Sequence, residues 1–197
     1  MSKKLLITGF DPFGGDKINP SWEAVRLLPE RIGEYDIVKL EIPTIFGVGA
    51  QKVLDAAAEY EPDVIICVGQ AGGRMSITPE VIGINLREAR IPDNAGNQPA
   101  NVPVVSNAPA AYFSTLPIRK MSQYINEAGI PAYLSYSAGA FVCNDVLYTL
   151  LNHYSDTTTL VGFIHVPYLP EQAGDKFFSL PLDKICAGLT AAIKALD

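Results

Sequence analysis

Short apolar runs of strand composition alternate along this chain with amphipathic helical patterns, and this alternation limits the fold more than any other feature. The predicted strands cover 3–10, 35–43, 62–70, 130–137 and 158–167. The predicted helices cover 20–30, 48–60, 118–128, 141–154 and 182–196. Strands separated by helices of about 10–15 residues form crossover units, which build a largely parallel sheet covered by helices. The sequence therefore predicts an α/β fold, with one domain over 1–197.

Charge and composition disfavour several classes of function. The net charge of −6 argues against a nucleic-acid partner, because phosphates require a basic surface. The longest apolar runs have the length of a strand, so no membrane partner is expected. The start, "MSKKLLITGF", lacks the cleavage site of a secretory signal, and three scattered cysteines suit a reducing compartment. We therefore expect a cytoplasmic protein.

The carboxyl ends of parallel strands mark the expected ligand site. Ligands of open α/β sheets bind in the crevice outside these ends. The loops that follow residues 10, 70, 138 and 166 should therefore lie near one another. The irregular segment 71–109 is long for a compact domain, and loops of that length are commonly functional.

Cys143 is the first candidate for chemistry. It lies in the first turn of a predicted helix, after a run of small residues at 137–140. The positive end of the helix dipole favours a thiolate there, whereas the alternative is a small buried hydrophobic residue. Cys67 lies inside an apolar strand and should be inert, and Cys186 belongs to the apolar side of the last helix. Cys143 is thus the only cysteine for which the sequence indicates a nucleophile.

A nucleophilic cysteine needs a base, and the chain contains two histidines. His165 lies near the end of an apolar strand, just before Pro167, so its ring either is buried in the core or projects over the carboxyl edge of the sheet. The second arrangement would place it beside Cys143, one crossover unit earlier. His153 ends a helix, and no role is assigned to it.

A third group should orient the imidazole. Glu80 is the strongest candidate, because a lone carboxylate among apolar residues is costly unless it is paired. Asp11, Asp93 and Asp145 compete for this role, and the sequence does not decide between them. Two distant histidines, no HExxH motif and no paired cysteines make a metal site unlikely, so neither a metal nor a cofactor is expected.

Four segments, in order and at consistent spacing from about residue 4 to 178, resemble the pyroglutamyl peptidase I family, also called pyrrolidone carboxyl peptidase. They are "TGFDPFGG…NPS", "ITPE…IN…ARIPDNAGNQP", "SYSAGAFVCN" and "GFIHVPYLP". The resemblance implies a three-layer α/β/α sandwich of the phosphorylase/hydrolase type, with a mixed, largely parallel sheet. It also implies a cysteine peptidase without cofactor, which removes N-terminal pyroglutamyl residues from peptides and works as a dimer or tetramer.

Matching the motifs residue by residue carries the family's site onto this chain. The implied triad is Cys143 as nucleophile, His165 as base and Glu80 as orienting carboxylate. Arg90 corresponds to a position near the oxyanion, and Gln70 to a residue that hydrogen-bonds the lactam. The implied walls of the ring pocket are Phe10, Phe13 and Phe141, with Thr44, Ile91 and Val142 nearby. One position departs from the pattern: Val81 follows the glutamate, where the family usually has a basic residue.

Two rival functions remain from the sequence. The first is another hydrolase or phosphorylase on the same scaffold, which would need a phosphate site; the Gly-containing loop "TGFDPFGG" matches neither GxGxxG nor a P-loop. The second is an inactive protein that keeps the ring pocket and binds without turnover. A pyroglutamyl ring has no charged amine, so a slot with aromatic walls and a few hydrogen bonds would suit it.

Overall fold

The computed structural model describes residues 2–197, which form eight strands and six helices. The strands are β1 (Lys3–Phe10), β2 (Arg31–Ile32), β3 (Tyr35–Ile42), β4 (Val64–Gln70), β5 (Thr78–Pro79), β6 (Ile82–Ile84), β7 (Ala111–Phe113) and β8 (Leu160–Val166). The helices are α1 (Pro20–Leu27), α2 (Val48–Tyr60), α3 (Ile118–Glu127), α4 (Val142–His153), α5 (Pro170–Ala173) and α6 (Leu182–Lys194). None of the helices in this described range is long and apolar enough to cross a membrane.

Six strands form one sheet in the order β2-β3-β1-β4-β8-β5. The four long strands β3, β1, β4 and β8 run parallel, whereas the short strands β2 and β5 pair antiparallel at the two edges. Strands β6 and β7 form a separate antiparallel pair. The predicted mixed, largely parallel α/β sheet is therefore confirmed.

Two apolar cores lie on opposite faces of this sheet, because successive strand residues point to opposite sides. On β1, Leu5 and Ile7 belong to one core and Leu6 to the other. Helices α1, α3 and α6 contribute to the first core, and α2 and α4 to the second. The result is the three-layer α/β/α arrangement. Strand β4 is buried on both faces and lies between β1 and β8, in the middle of the sheet.

The long elements follow the sequence prediction closely, and the differences have local causes. Helix α1 was predicted to reach residue 30 but ends at Leu27, because Pro29 forces Leu28 into an extended conformation (ψ 149°). The strand predicted over 130–137 is wrong: this segment makes only isolated bridges, Ile77 with Ala132 and Glu80 with Ser135. Pro131 lacks an N–H and cannot donate to a ladder.

The predicted convergence of loops is present at the carboxyl edge. After β4, the Ala71 N–H donates to the carbonyl of Val166 at the end of β8. The amide of Gln70 donates to Asp16 in the loop after β1. The guanidinium of Arg74 donates to the carbonyl of Ser137, in the segment that precedes α4. These contacts bring the loops after residues 10, 70, 138 and 166 into one region.

Candidate active site

Cys143 occupies the first turn of α4, as predicted. Phe141 is the N-cap residue, with extended backbone and no side-chain cap, and Val142 begins the helix. Two residues before the cap, Gly139 has a φ of 77°, a left-handed conformation that glycine adopts without steric cost. The small residues thus let the chain turn sharply and place the partly exposed Cys143 side chain against the sheet.

Gly69 leaves the space in which the Cys143 thiol lies against the sheet. A methyl group at position 69 would lie 2.9 Å from Cys143 Sγ and 2.7 Å from the Phe163 ring, so only glycine leaves room for the sulfur. Gly69 on β4 is the register partner of His165 on β8. The thiol therefore lies over the strand pair that carries His165.

His165 and Glu80 form a buried hydrogen bond. The distance from His165 Nδ1 to Glu80 Oε1 is 2.7 Å, and the two residues are 4 % and 0 % exposed. Strand β5 pairs with β8 just before Glu80, with Thr78 opposite His165, and the Glu80 N–H donates to the Phe163 carbonyl at 2.9 Å. Edge-strand pairing therefore brings together two residues that are 85 positions apart.

The protonation of this pair follows from its surroundings. Burial would raise the pKa of Glu80, but the hydrogen bond and charge of His165, the nearby Ser135 hydroxyl and, last, the charge of Arg74 hold the pKa below its usual value. Burial lowers the pKa of His165, although Glu80 opposes the shift. An ionised carboxylate can only accept, so a neutral His165 carries its proton on Nδ1 and presents a lone pair at Nε2.

The surroundings of Cys143 favour the neutral thiol over the thiolate. Burial, followed by the negative charge of Glu80, raises the pKa of Cys143 to about 12. The backbone contact at the helix start acts in the opposite direction and is the weakest influence. Desolvation thus opposes the thiolate that the helix dipole favours.

Arg74 is a site residue that the sequence reasoning missed. Its guanidinium donates to Glu80 Oε1 at 2.6 Å and to the Ser137 carbonyl at 3.0 Å. The only sequence signal was a basic residue in the loop that follows the central strand, which is too common a feature to single it out.

The three competing carboxylates are engaged elsewhere. Asp11 accepts from the Thr44 N–H at 2.7 Å, and Asp93 accepts from the backbone N–H groups of Phe46 and Asn97 at 2.9 and 2.8 Å. Asp145 forms an ion pair with Arg87 at 2.6 Å and accepts from the Gly47 N–H. Of the four candidates only Glu80 contacts His165.

An open cavity of about 510 Å³ lies beside the start of α4. It is lined by Phe13, Glu88, Arg90, Ile91, Gly139, Ala140 and Phe141. Four of the eight predicted substrate-binding residues are in this set: Phe13, Arg90, Ile91 and Phe141. The Phe13 and Phe141 rings are 6.1 Å apart, and Phe46, which the sequence reasoning did not single out, packs edge-on against Phe141 at 5.2 Å.

The other four predicted substrate-binding residues do not line this cavity. Phe10 is buried in the core, where its ring centroid lies 6.2 Å from that of Phe163, and Val142 is buried in the same core. Thr44 is buried and bonded to Asp11. The Gln70 amide donates to Asp16 and accepts from Gln172. A role for these four in binding stays a prediction.

Fold and site together define a class: an α/β protein with a thiol, an imidazole and a buried carboxylate at the carboxyl edge of its sheet. Within residues 2–197, no group of three or more His, Cys, Asp or Glu side chains is arranged to hold a metal ion. The chain belongs to the pyroglutamyl peptidase family, whose model matches residues 3–197. It is therefore a peptidase.

Curated relatives match over nearly the whole chain. The pyrrolidone-carboxylate peptidase of Enterococcus faecalis is 51% identical over 197 residues, which cover 98% of this chain and 92% of the relative. The pyrrolidone-carboxylate peptidase of Bacillus amyloliquefaciens is 50% identical over 206 residues, which cover 100% of this chain and 96% of the relative.

Solved structures agree with the fold. The crystal structure of pyroglutamyl peptidase I from Bacillus amyloliquefaciens matches with a TM-score of 0.96 at 50% identity, covering 100% of this chain and 95% of that one. A mutant pyrrolidone carboxyl peptidase from P. furiosus matches with a TM-score of 0.94 at 40% identity, covering 98% of this chain and 97% of that one.

Proposed function

We propose that this protein removes an N-terminal pyroglutamyl residue from peptides through a thioester intermediate. Cys143 is the nucleophile, His165 the general base and Glu80 the group that orients the imidazole. The observation that carries the proposal is the buried hydrogen bond of 2.7 Å between His165 and Glu80. The Cys143 sulfur lies over Gly69, which is the register partner of His165 on the neighbouring strand. Membership of the pyroglutamyl peptidase family supports the substrate class.

The first step forms the acyl-enzyme. His165 Nε2 takes the thiol proton of Cys143 as the sulfur attacks the pyroglutamyl carbonyl carbon, so the thiolate exists only during the attack. The carbonyl oxygen becomes an oxyanion, for which the proposed donors are the Cys143 backbone N–H and the Arg90 guanidinium. Glu80 stabilises the imidazolium that forms, because its charge is held close to Nδ1.

The second half of the proposed reaction releases both products and restores the free enzyme. The carbon–nitrogen bond breaks, the imidazolium protonates the departing amine, and the shortened peptide leaves with a free amino end. Water then attacks the thioester, giving up a proton to His165. When the carbon–sulfur bond breaks, pyroglutamate is released and Cys143 regains its proton.

The cavity supports a small uncharged ring as the recognised group. The rings of Phe13 and Phe141 offer apolar walls, and Arg90 lines the same cavity. The lactam of pyroglutamate carries no charge, whereas open-chain glutamate would bring a charged amine and a carboxylate that must be desolvated. Gln70, whose amide now donates to Asp16 at 3.2 Å, is the proposed partner of the lactam.

The remaining expectations belong to the same proposal. We propose one domain over 1–197, a cytoplasmic location and a dimer or tetramer as the working form. The three cysteines, all free in the described chain, are compatible with a reducing compartment. Size-exclusion chromatography with light scattering measures the oligomeric state directly.

The test is amine release from fluorogenic pyroglutamyl, prolyl and glutamyl amides, before and after treatment with iodoacetamide. We expect cleavage of the pyroglutamyl amide alone, lost on alkylation and lost by about 10³-fold or more in Cys143→Ala. Cys186→Ala, which removes a partly exposed thiol elsewhere, is the matched control and should behave as wild type. Full activity of Cys143→Ala, a phosphate requirement, or binding without turnover would each contradict the proposal.

A further inference from the structure

We propose that Arg74 is a positioning residue of this active site. It keeps the Glu80 carboxylate directed at His165, and it ties that carboxylate to the turn that leads into Cys143. This inference rests on the proposed function, because it assigns Arg74 a role in the same thiol chemistry. It adds a fourth side chain to the three that the sequence indicates.

One guanidinium joins three parts of the site. Arg74 Nη1 donates to Glu80 Oε1 at 2.6 Å and also to the hydroxyl of Thr78, the register partner of His165. Its Nη2 donates to the Ser137 carbonyl at 3.0 Å. Arg74 itself lies in the loop after β4, so these bonds connect that loop, the β5 edge and the turn before α4. The planar fork of arginine suits such a bridge, and lysine could not reproduce all of it.

Glu80 depends on its hydrogen bond from Arg74 more than a solvent-exposed carboxylate would. Its Oε1 accepts from both His165 and Arg74, while its buried Oε2 has no hydrogen-bond partner in the described chain. Burial favours the protonated carboxyl, and the hydrogen bond and charge of His165 are the largest influences that oppose it. Without Arg74, Glu80 therefore stays ionised, but its Oε1 loses the second donor that directs it at His165. Arg74 is the only lysine or arginine in residues 2–197 that pairs with Glu80.

Arg74 also acts on the electrostatics of the reacting groups. Its positive charge lowers the pKa of Glu80, of His165 and of Cys143. The charged groups that act on His165 are Glu80, after β5, and Arg74, in the loop after β4. The Cys143 thiol on α4 lies over Gly69, the register partner of His165. Loss of the Arg74 charge therefore moves the pKa of His165 upward, and the acid limb of kcat/KM, which reports that imidazole, should move to higher pH.

The bond to Ser137 gives Arg74 a second function in the same site. The Ser137 carbonyl also accepts from the Ser135 hydroxyl at 3.2 Å, and the Ser137 hydroxyl accepts from the Gly139 N–H. These bonds define the turn that ends at the Phe141 cap. Arg74 thus fixes the carboxylate and the approach to the nucleophile together, so both shift when it is removed.

The test compares Arg74→Met, Arg74→Lys and the matched control Arg31→Met, an exposed arginine on the opposite edge strand β2. With a pyroglutamyl amide we expect Arg74→Met to lower kcat by about 10- to 100-fold, the range for losing a group that orients catalytic residues. KM should change little, and the acid limb should move to higher pH. Arg74→Lys should keep the limb in place and recover part of kcat, and Arg31→Met should match wild type.

Two further variants separate the possible failures. In a Glu80→Gln background, adding Arg74→Met should lower kcat much less than it does in the wild type, because the contact with a charged Glu80 is already gone. This double variant also removes both charges, so it folds even if Arg74→Met alone leaves Glu80 too costly to bury. An unchanged kcat and pH profile in Arg74→Met, or additive losses in the double variant, would overturn the Arg74 role. Full activity of Glu80→Gln would instead overturn the proposed function.

Discussion

Two arginine–carboxylate pairs lie near the start of α4, and at first sight they are alike. Arg74 contacts Glu80 Oε1 at 2.6 Å, and Arg87 contacts Asp145 Oδ1 at 2.6 Å. Both carboxylate side chains are 0 % exposed, and both arginine side chains are 24 % exposed. Any difference in their function must therefore come from the other groups that each carboxylate meets.

The second oxygen of each carboxylate separates the two pairs. Asp145 Oδ2 accepts from the Gly47 N–H at 2.7 Å, so both of its oxygens are engaged by fixed donors. Within residues 2–197, Glu80 Oε2 has no hydrogen-bond partner, and Oε1 is shared between Arg74 and the titratable His165. A carboxylate saturated by fixed donors holds the chain together, whereas one with unused acceptor capacity can respond when a neighbouring imidazole becomes charged.

The Arg87–Asp145 pair, whose carboxylate oxygens are both engaged, has a structural role. Asn144, next to Asp145, accepts from the Ile84 N–H at 2.9 Å and donates to the carbonyls of Ile84 and Leu86. Together with Arg87, these bonds fasten the 84–88 segment to the first turn of α4. That segment leads to Glu88 and Arg90 in the cavity wall. The two residues after Cys143 therefore position one wall of the cavity.

The largest expected effect follows from Glu80→Gln. Gln keeps the size of the side chain but removes the charge that stabilises the imidazolium, so kcat should fall by about 10³- to 10⁴-fold. Steady-state turnover of a pyroglutamyl amide measures this change, and thermal unfolding shows whether the variant is folded. If kcat stayed within threefold of wild type, the two pairs would not differ as described.

Asp145→Asn should produce the opposite pattern. Removing one partner of a buried ion pair leaves Arg87 uncompensated and should lower the free energy of unfolding by about 3 kcal/mol. Urea unfolding measures the loss. At a temperature where the variant is folded, kcat should fall by less than about tenfold. A loss of kcat greater than that of Glu80→Gln would reverse the comparison.

Gly69→Ala tests whether catalysis depends on the position of the Cys143 sulfur over Gly69. The added methyl would lie 2.9 Å from Cys143 Sγ, so the thiol must move, and kcat should fall by about 10- to 100-fold. Overpacking should also cost about 1–3 kcal/mol of stability.

Gly162→Ala is the matched control for this substitution. The added methyl would lie 2.5 Å from Leu116, on the face of the sheet opposite the Cys143 thiol. The substitution should therefore lower the free energy of unfolding without a comparable loss of kcat. Equal losses of kcat in both variants would show that crowding in the sheet, and not the sulfur, sets the effect.

The smallest effect is a pH dependence. Because the pKa of His165 lies below its usual 6.5, kcat/KM should be independent of pH near neutrality and should fall only below pH 6.5, as the imidazole takes up a proton. Stability should decline in the same window, because the unfolded chain binds that proton at a higher pH than the folded one does. His153→Gln should leave the profile unchanged; an acid limb above pH 6.5 in the wild type would contradict this assignment.

The sequence predicted those features that depend on local pattern. Helix α2 has the predicted bounds, 48–60, because its apolar residues repeat at helical spacing without an internal proline. The segment 130–137 has strand composition, yet it lies beyond the edge strand β5 and forms only single bridges. Composition alone does not say whether a neighbouring strand offers a ladder to join.

The candidate site likewise has some features that local sequence pattern predicts and others that it does not. Cys143, His165 and Glu80 were predicted from helix position, strand end and an isolated carboxylate, and the structure places Glu80 against His165. Arg74 was not found, because its contacts with Glu80 and Ser137 arise only when three loops converge. The helix start at Cys143 is visible in the sequence, whereas the burial that raises the pKa of its thiol is not.

The most direct test is to map the site of labelling by a pyroglutamyl chloromethyl ketone, which combines the ring with a carbon that a thiol alkylates. The account predicts complete inactivation with one label on Cys143, slowed by excess pyroglutamate, and no label in Cys143→Ala. Labelling of Cys67 or Cys186 instead, or continued turnover by Cys143→Ala, would contradict the assignment of Cys143 as the nucleophile.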